Sequence, residues 1–266
     1  MLTSLLETQT SYQFFQKKNA PTLILLHGWL QDWQCWSPVI GKLSEKYQLV
    51  IPDLPAFGKS TLGPDQSGNI VAWNSEQYAL WLAAFIDSLD LSKSQPVVVL
   101  GHSFGGKIAA IAAASYAQNT TPPISGLLLV DAAGLPDPLP LNKKITQTII
   151  SAIPSFFKDT LTGPVKHKLL GALRLSTDHA KSLPQQKKIL EKIIRENISE
   201  YINKISIPST IIWGAHDDAT PVHQAKLFHI GLRNSTLHIF EKSDHFPFIS
   251  QPSLFISTVS DFIDSL

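Results

Sequence analysis

Pro96-Val97-Val98-Val99-Leu100-Gly101-His102-Ser103-Phe104-Gly105-Gly106 is the stretch on which the fold turns. Its first half is an aliphatic, β-branched run of strand length, and the segment Ser103 to Ala117 is rich in alanine, which suits a helix packed tightly under a sheet. The junction matches G-x-S-x-G between a strand and a helix, a context that presents a serine at the tip of a sharp turn. A residue there takes a strained backbone conformation, and neighbouring side chains would collide with strand and helix, so the spacing assigns Gly101 and Gly105 to making room. At the N-terminus of the following helix, unpaired amides and the dipole favour negative charge. The Phe104 N–H is thereby a candidate donor to a developing oxyanion.

Further short apolar runs, each ending near a Gly, Asp or His, flank this one: TLILLHG (22–28), YQLVIPD (47–53), ISGLLLVD (124–131), IPSTIIWG (207–214) and STLHIFEKSDH (235–245). They alternate with segments of helical period, the pattern of an α/β protein whose mostly parallel central sheet has helices on both faces. Tyr12 to Gln16 adds an antiparallel edge strand to this expectation. Ser75 to Asp90 carries Tyr78, Leu82, Phe85, Ile86 and Leu89 on one stripe, with Ser75 as N-cap. Pro221 and Gly231 bracket another helix, and the last starts near Pro252 and runs through Phe255, Val259, Phe262 and Ile263.

From Gly134 to Ile205 the alternation stops. Helical patterns punctuated by prolines replace it, and Ile189, Ile193, Ile194, Ile198, Tyr201 and Ile202 share a stripe of the last segment. The reading is a core of residues 1–133 and 206–266 with a helical cap, 134–205, inserted between two strands. A chain of 266 residues with 44% hydrophobic content can bury one large core.

Lys and Arg number 22 against 21 Asp and Glu, a net charge of +1, so there is no field to attract nucleic acid or an anionic membrane. A small neutral molecule is the expected partner. No signal-peptide pattern opens the chain, and the apolar runs fall far below the roughly 18 residues that span a bilayer. Cys35 is the only cysteine, which excludes an internal disulfide and fits a reducing cytoplasm. No two of the nine histidines share metal-like spacing with a third ligand, so neither metal nor cofactor is expected. Nothing bears on oligomeric state.

With these residues in view, the chain resembles the serine hydrolases of the α/β-hydrolase superfamily over nearly its whole length. His27-Gly28-Trp29-Leu30 follows a strand where the family's second oxyanion donor lies, here the Trp29 backbone N–H. Asp53-Leu54-Pro55-Ala56-Phe57-Gly58-Lys59-Ser60 is similar to the family's D-x-P-G-x-G-x-S turn, with Ala56 in place of the first glycine. Trp213-Gly214-Ala215-His216-Asp217-Asp218-Ala219-Thr220-Pro221 resembles W-G-x-x-D-x-x-x-P and puts the triad acid at Asp217. Ser243-Asp244-His245-Phe246-Pro247-Phe248 resembles the segment that carries the histidine, His245. The order Ser, Asp, His is the superfamily's. Asp218 adjoins Asp217, and Asp131 ends the strand LLLVD, where some members of the fold carry their acid.

The resemblance implies a catalytic triad. His245 takes the proton of Ser103 during attack, Asp217 orients the imidazole and stabilises the imidazolium, and the amides of Trp29 and Phe104 hold the oxyanion. It implies an esterase acting on small to medium hydrophobic esters, lactones included. Carbon-carbon bond hydrolysis, thioester cleavage and cofactor-free perhydrolysis use the same framework, and some members are non-catalytic ligand receptors. Trp29, Phe104, Phe246 and Phe248 are expected to face the pocket, with Phe156 and Phe157 of the cap as further lining. Trp33, Trp36 and Trp73 are expected to pack, His27 to serve its turn, His102 to pack beside the elbow, and Lys107 to face away from the chemistry.

Overall fold

Residues 2–5, 8–64, 67–92, 94–117, 119–120, 123–136 and 182–266 are described by a computed structural model. The chain runs β1 (Leu2–Leu5), β2 (Thr8–Phe15), β3 (Thr22–Leu26), a 3-10 turn (Trp33–Trp36), α1 (Ser37–Ser44), β4 (Gln48–Pro52), β5 (Thr61–Leu62), α2 (Ser75–Asp87), β6 (Val97–His102), α3 (Phe104–Tyr116) and β7 (Ile124–Val130). It continues with α4 (Pro184–Ile193), α5 (Ser199–Ile202), β8 (Ser209–Gly214), α6 (His223–Gly231), β9 (Ser235–Phe240), α7 (Pro247–Ser250) and α8 (Pro252–Asp264).

The strands form one sheet in the order β1-β2-β4-β3-β6-β7-β8-β9, with β5 also paired to β2. From β4 to β9 every neighbouring pair is parallel, whereas β2 runs antiparallel to β1, β4 and β5. The β2 strand is longer than expected and stands one place in from the edge, which β1 occupies.

Sequence period 2 explains how the sheet is covered on both sides. Leu23, Leu25, Val98 and Leu100 join one core with Trp36, Val39 and Leu43 of the α1 region and Phe255 and Val259 of α8. Ile24, Leu26, Val97 and Val99 point the other way, into a core with Tyr78, Leu82 and Phe85 of α2 and Ile108 of α3. Alternate side chains of a strand face opposite sides, so a run buried on both faces needs no polar alternation.

The chain leaves β3 for β4 on one side and reaches β6 on the other. The crevice outside the carboxyl ends of β3 and β6 is therefore a topological switch point, where ligands bind in open α/β sheets. The loops carrying Trp29 and Ser103 start there.

Two local expectations are corrected. The N-cap of α2 is Asn74, whose side chain accepts from the Gln77 N–H at 2.9 Å while Gln77 reaches back to the Asn74 N–H. Ser75 instead bonds Glu196, through its amide at 3.1 Å and through its hydroxyl. The isoleucine stripe is broken: α4 ends at Ile193, Ile194 is exposed, and Ile198 and Ile202 are buried by a separate turn, α5. Within 134–205 the description covers 134–136 and 182–205, so Phe156 and Phe157, like His167, Leu173 and His179, lie outside it. The helix α4 is tied to the loop after β4, since Gln186 donates to the Ala56 carbonyl at 2.9 Å and Gln185 to those of Leu62 and Val71, both at 3.0 Å.

The loop after β4 is held together by Asp53. Asp53 accepts the Trp33 and Lys59 amides on its two oxygens, both at 2.9 Å, and Gly58 lies against its carboxyl group. Ala56 adopts φ +72°, a left-handed conformation that a β-carbon disfavours by about 1–2 kcal/mol. Replacing Ala56 with glycine relieves that strain and adds some unfolded-state entropy, for an expected net gain of about 0.5 kcal/mol or more in urea unfolding. A loss of stability would mean that the loop is not strained at Ala56.

Candidate active site

Ser103 sits between β6 and α3 at φ 52°, ψ −112°, a conformation that non-glycine residues rarely adopt. Packing on both sides imposes it. A β-carbon on Gly101 would fall 2.3 Å from the Gly105 carbonyl oxygen, and one on Gly105 would fall 2.5 Å from that of Leu26. The Ser103 amide donates to the Val130 carbonyl at 2.9 Å, and the Ser103 carbonyl accepts from Ala133 at 3.0 Å and Lys107 at 3.1 Å. The turn is thus held by β7 as well as by its own helix.

The same approach of α3 to the end of β3 sets the loop that carries Trp29 beside the start of α3. Phe104 is the first residue of α3, where the N–H has no intrahelical acceptor. The Trp29 ring packs edge-on against Phe104, with centroids 5.8 Å apart, and against Phe57 at 4.9 Å. His27, fully buried, shapes this loop: its Nδ1–H donates to the Gly28 carbonyl at 2.8 Å and its Nε2 accepts the Leu54 N–H at 2.9 Å. That pattern needs a neutral ring, and burial, foremost, pushes the His27 pKa down.

His245 reaches the elbow from the loop after β9. Its carbonyl accepts from His102 Nε2 at 2.8 Å, which pins the loop to the residue preceding Ser103, and the two imidazoles lie 4.7 Å apart. His245 Nδ1 donates to Asp217 Oδ2 at 2.7 Å, so Nε2 is the nitrogen left for other partners. No hydrogen bond joins it to the Ser103 hydroxyl among the described residues. Catalytic hydrogen bonds are often long or absent without substrate.

Asp217 accepts four hydrogen bonds: the Ala219 and Thr220 amides on Oδ1 at 2.7 and 3.0 Å, and the Thr220 hydroxyl and His245 on Oδ2, both at 2.7 Å. Burial alone would raise its pKa. The hydrogen bond and charge of His245, with help from Asp131 and Thr220, outweigh that and hold it at about 2. Asp218 is partly exposed.

The loops are locked together at Gly214, where a β-carbon would lie 1.9 Å from the Asp244 carbonyl oxygen. Asp131 accepts the Gly214 N–H at 2.9 Å. Single ligand atoms of Asp131, Asp217 and His245 fall within 4.8 Å of one another. A cation there would have to displace the donors that already occupy Asp217.

Thr220 and the approach of Asp131 to the acid were missed by sequence reading. A strand-end acid and a loop threonine are ordinary in sequence; the pairing of β7 with β8 puts Asp131 beside Asp217, and the local turn after β8 folds Thr220 back onto it. Phe246 rests against His102 and His245, with centroids 5.2 Å away in each case. Phe248 corrects expectation: it is fully buried, 4.3 Å from Trp36 in the core rather than facing a pocket. Trp36 and Trp73 are buried as expected and Trp33 partly so. Lys107 is buried, donating to the Ile193 carbonyl at 2.6 Å and pairing with Glu196 at 3.5 Å.

The sequence model of the alpha/beta hydrolase family matches residues 23–258. The chain belongs to the alpha/beta hydrolase family. Among its relatives, this hydrolase is 24% identical over 263 residues to a pimeloyl-[acyl-carrier protein] methyl ester esterase of Aeromonas hydrophila, covering 91% of this chain and 95% of that one. It is 25% identical to the uncharacterized hydrolase YugF of Bacillus subtilis, covering 95% of this chain and 93% of that one. A crystal structure of a putative lipase from Acinetobacter baumannii matches with a TM-score of 0.75 at 23% identity, covering 100% of this chain and 90% of the other, a likeness of fold. No helix among the described residues is long and apolar enough to cross a membrane.

The low Asp217 pKa has a pH signature. A carboxylate of folded pKa about 2, against about 3.9 unfolded, contributes stability that is fully present above the unfolded value and is lost as pH falls through the folded one. The stability difference between wild type and Asp217→Asn in urea unfolding is expected to shrink as pH drops from about 5 towards about 2. A constant difference would mean that Asp217 has no depressed pKa.

Proposed function

We propose that this hydrolase cleaves carboxylic esters of small to medium hydrophobic substrates, lactones included, through an acyl-enzyme on Ser103. The observation that carries the reading is the relay from Asp217 through His245 to the elbow: a carboxylate with four donors holds Nδ1 at 2.7 Å, and His102 fixes the same residue's backbone beside Ser103. In this mechanism Nε2 of His245 takes the Ser103 proton as the hydroxyl oxygen attacks the ester carbonyl. The negative charge falls on the carbonyl oxygen, opposite the Trp29 and Phe104 amides. The imidazolium returns the proton to the leaving alcohol, and a water deprotonated by His245 then releases the acid.

The apolar surroundings favour hydrophobic acyl groups. Trp29, Phe57 and Phe104 form an aromatic wall next to the elbow, with Tyr78 behind Phe104 at 5.2 Å. In this reading Phe246 bounds the histidine side, residues 134–205 form the cap, with Phe156 and Phe157 among its lining, and the enzyme works in the cytoplasm. The methyl ester esterase named for the Aeromonas relative belongs to the same reaction class.

Ser103→Ala and His245→Ala are each expected to lower turnover of a nitrophenyl ester by about 10⁴-fold or more, with circular dichroism unchanged. Retention of more than a few per cent of activity by either variant would contradict the assignment. A fluorophosphonate probe should label the wild type and not Ser103→Ala. No labelling of a folded wild type would favour a ligand receptor. A panel of acyl esters, lactones and thioesters then ranks the substrates, and exclusive thioester turnover would replace the ester reading.

A further inference from the structure

One acid in the relay has no role in the proposed mechanism. Asp131 follows β7 at φ +44°, a left-handed conformation unusual for a residue with a β-carbon, and is fully buried. Its oxygens are unequal. Oδ1 accepts the Gly214 N–H at 2.9 Å, while Oδ2 is buried without a donor among the described residues. The Thr220 hydroxyl lies 3.1 Å from the Asp131 carbonyl and leaves the carboxyl group unassisted.

The groups facing this carboxyl come from two loops. Asp217 belongs to the loop after β8; His245 and the exposed Asp244 belong to the loop after β9. Asp131, Asp217 and His245 offer atoms within 4.8 Å of one another. Two carboxylates so close in a dry environment do not both stay ionised, and one takes a proton. Donor count decides which. Asp217 has four donors that favour its anion, whereas Asp131 has one and an empty oxygen.

We propose that Asp131 is a neutral carboxylic acid whose Oδ2–H donates to Asp217, making it a positioning residue for the acid of the relay. The assignment gives the orphaned oxygen a partner and leaves the buried cluster with one negative charge instead of two. Burial, and then the charge of Asp217, push the Asp131 pKa well above the carboxylate range, in keeping with the geometry. Resting on the triad reading, the role follows from charge. A donor on Asp217 makes it a weaker base, so the proton taken from Ser103 stays on the imidazole rather than passing on to the carboxylate.

The test separates this proposal from the triad itself. Infrared spectra at neutral pH should show the carbonyl stretch of a protonated carboxylic acid in wild type and in Ser103→Ala, and the band should vanish in Asp131→Asn. Absence of the band, or its persistence in Asp131→Asn, overturns the proposal whatever the enzyme does. In kinetics, Asp131→Ala is expected to lower kcat by about tenfold or more with little change in KM, having lost a hydrogen bond to a charged group. Asp131→Asn keeps an N–H donor for Asp217 and an acceptor for Gly214, and should recover most of that loss.

Equal impairment of both variants would show that a carboxylate is needed and would also overturn the proposal. The stability of the wild type should fall relative to Asp131→Asn as pH rises above about 4, because an acid with a raised folded pKa disfavours folding once the unfolded chain ionises. A flat difference counts against the neutral acid. This measurement and the infrared band decide the matter even if Asp131→Ala does not fold. If Ser103→Ala remains active while the band behaves as expected, the triad reading fails and the carboxyl pair stands.

Discussion

The contact between the end of β6 and the start of α3 is the constraint on which the rest depends. Gly101 and Gly105 let strand and helix meet backbone to backbone, and Ser103 is forced into φ 52° between them. A strained residue persists only where its surroundings over-determine it. Here the Val130 and Ala133 backbones of the neighbouring strand and loop grip both sides of the turn. The first amide of α3, which has no intrahelical acceptor, comes with this geometry, so the position of the serine and the positive helix end beside it have one cause.

The sheet order distributes the other parts. Parallel strands point their carboxyl ends the same way, so the loops after β3, β6, β7, β8 and β9 gather on one rim. Reversal of the winding direction between β3 and β6 opens a crevice there. Hydrogen bonds then sew the loops to one another: His102 to the His245 carbonyl, Asp131 to the Gly214 amide, and the His216 amide to the Ser243 carbonyl. The Asp217–His245 pair thus sits on loops bound to a common sheet and to one another.

Electrostatics at this rim follows donor count. Asp217 is as buried as a core residue and yet stays ionised, because amides, a hydroxyl and an imidazole surround it. Asp131, just as buried, has a single amide. Two acids of the same chemical type in one cluster acquire opposite protonation tendencies from their neighbours alone.

Local pattern determined much of this protein. The largely apolar runs at β3, β6, β7 and β8 declared a sheet covered on both faces, the glycines around Ser103 declared the turn, and the membership that the resemblance implied was met by the family match over residues 23–258. These features are legible because period, steric allowance and turn chemistry act within a few residues. Tertiary structure alone decided that Phe248 is buried against Trp36, that Ser75 bonds Glu196, and that Asp131 meets Asp217. The physical reason is the same each time: such contacts join residues distant in the chain, and no local rule about a strand-end acid or a loop phenylalanine specifies which strand will lie beside it.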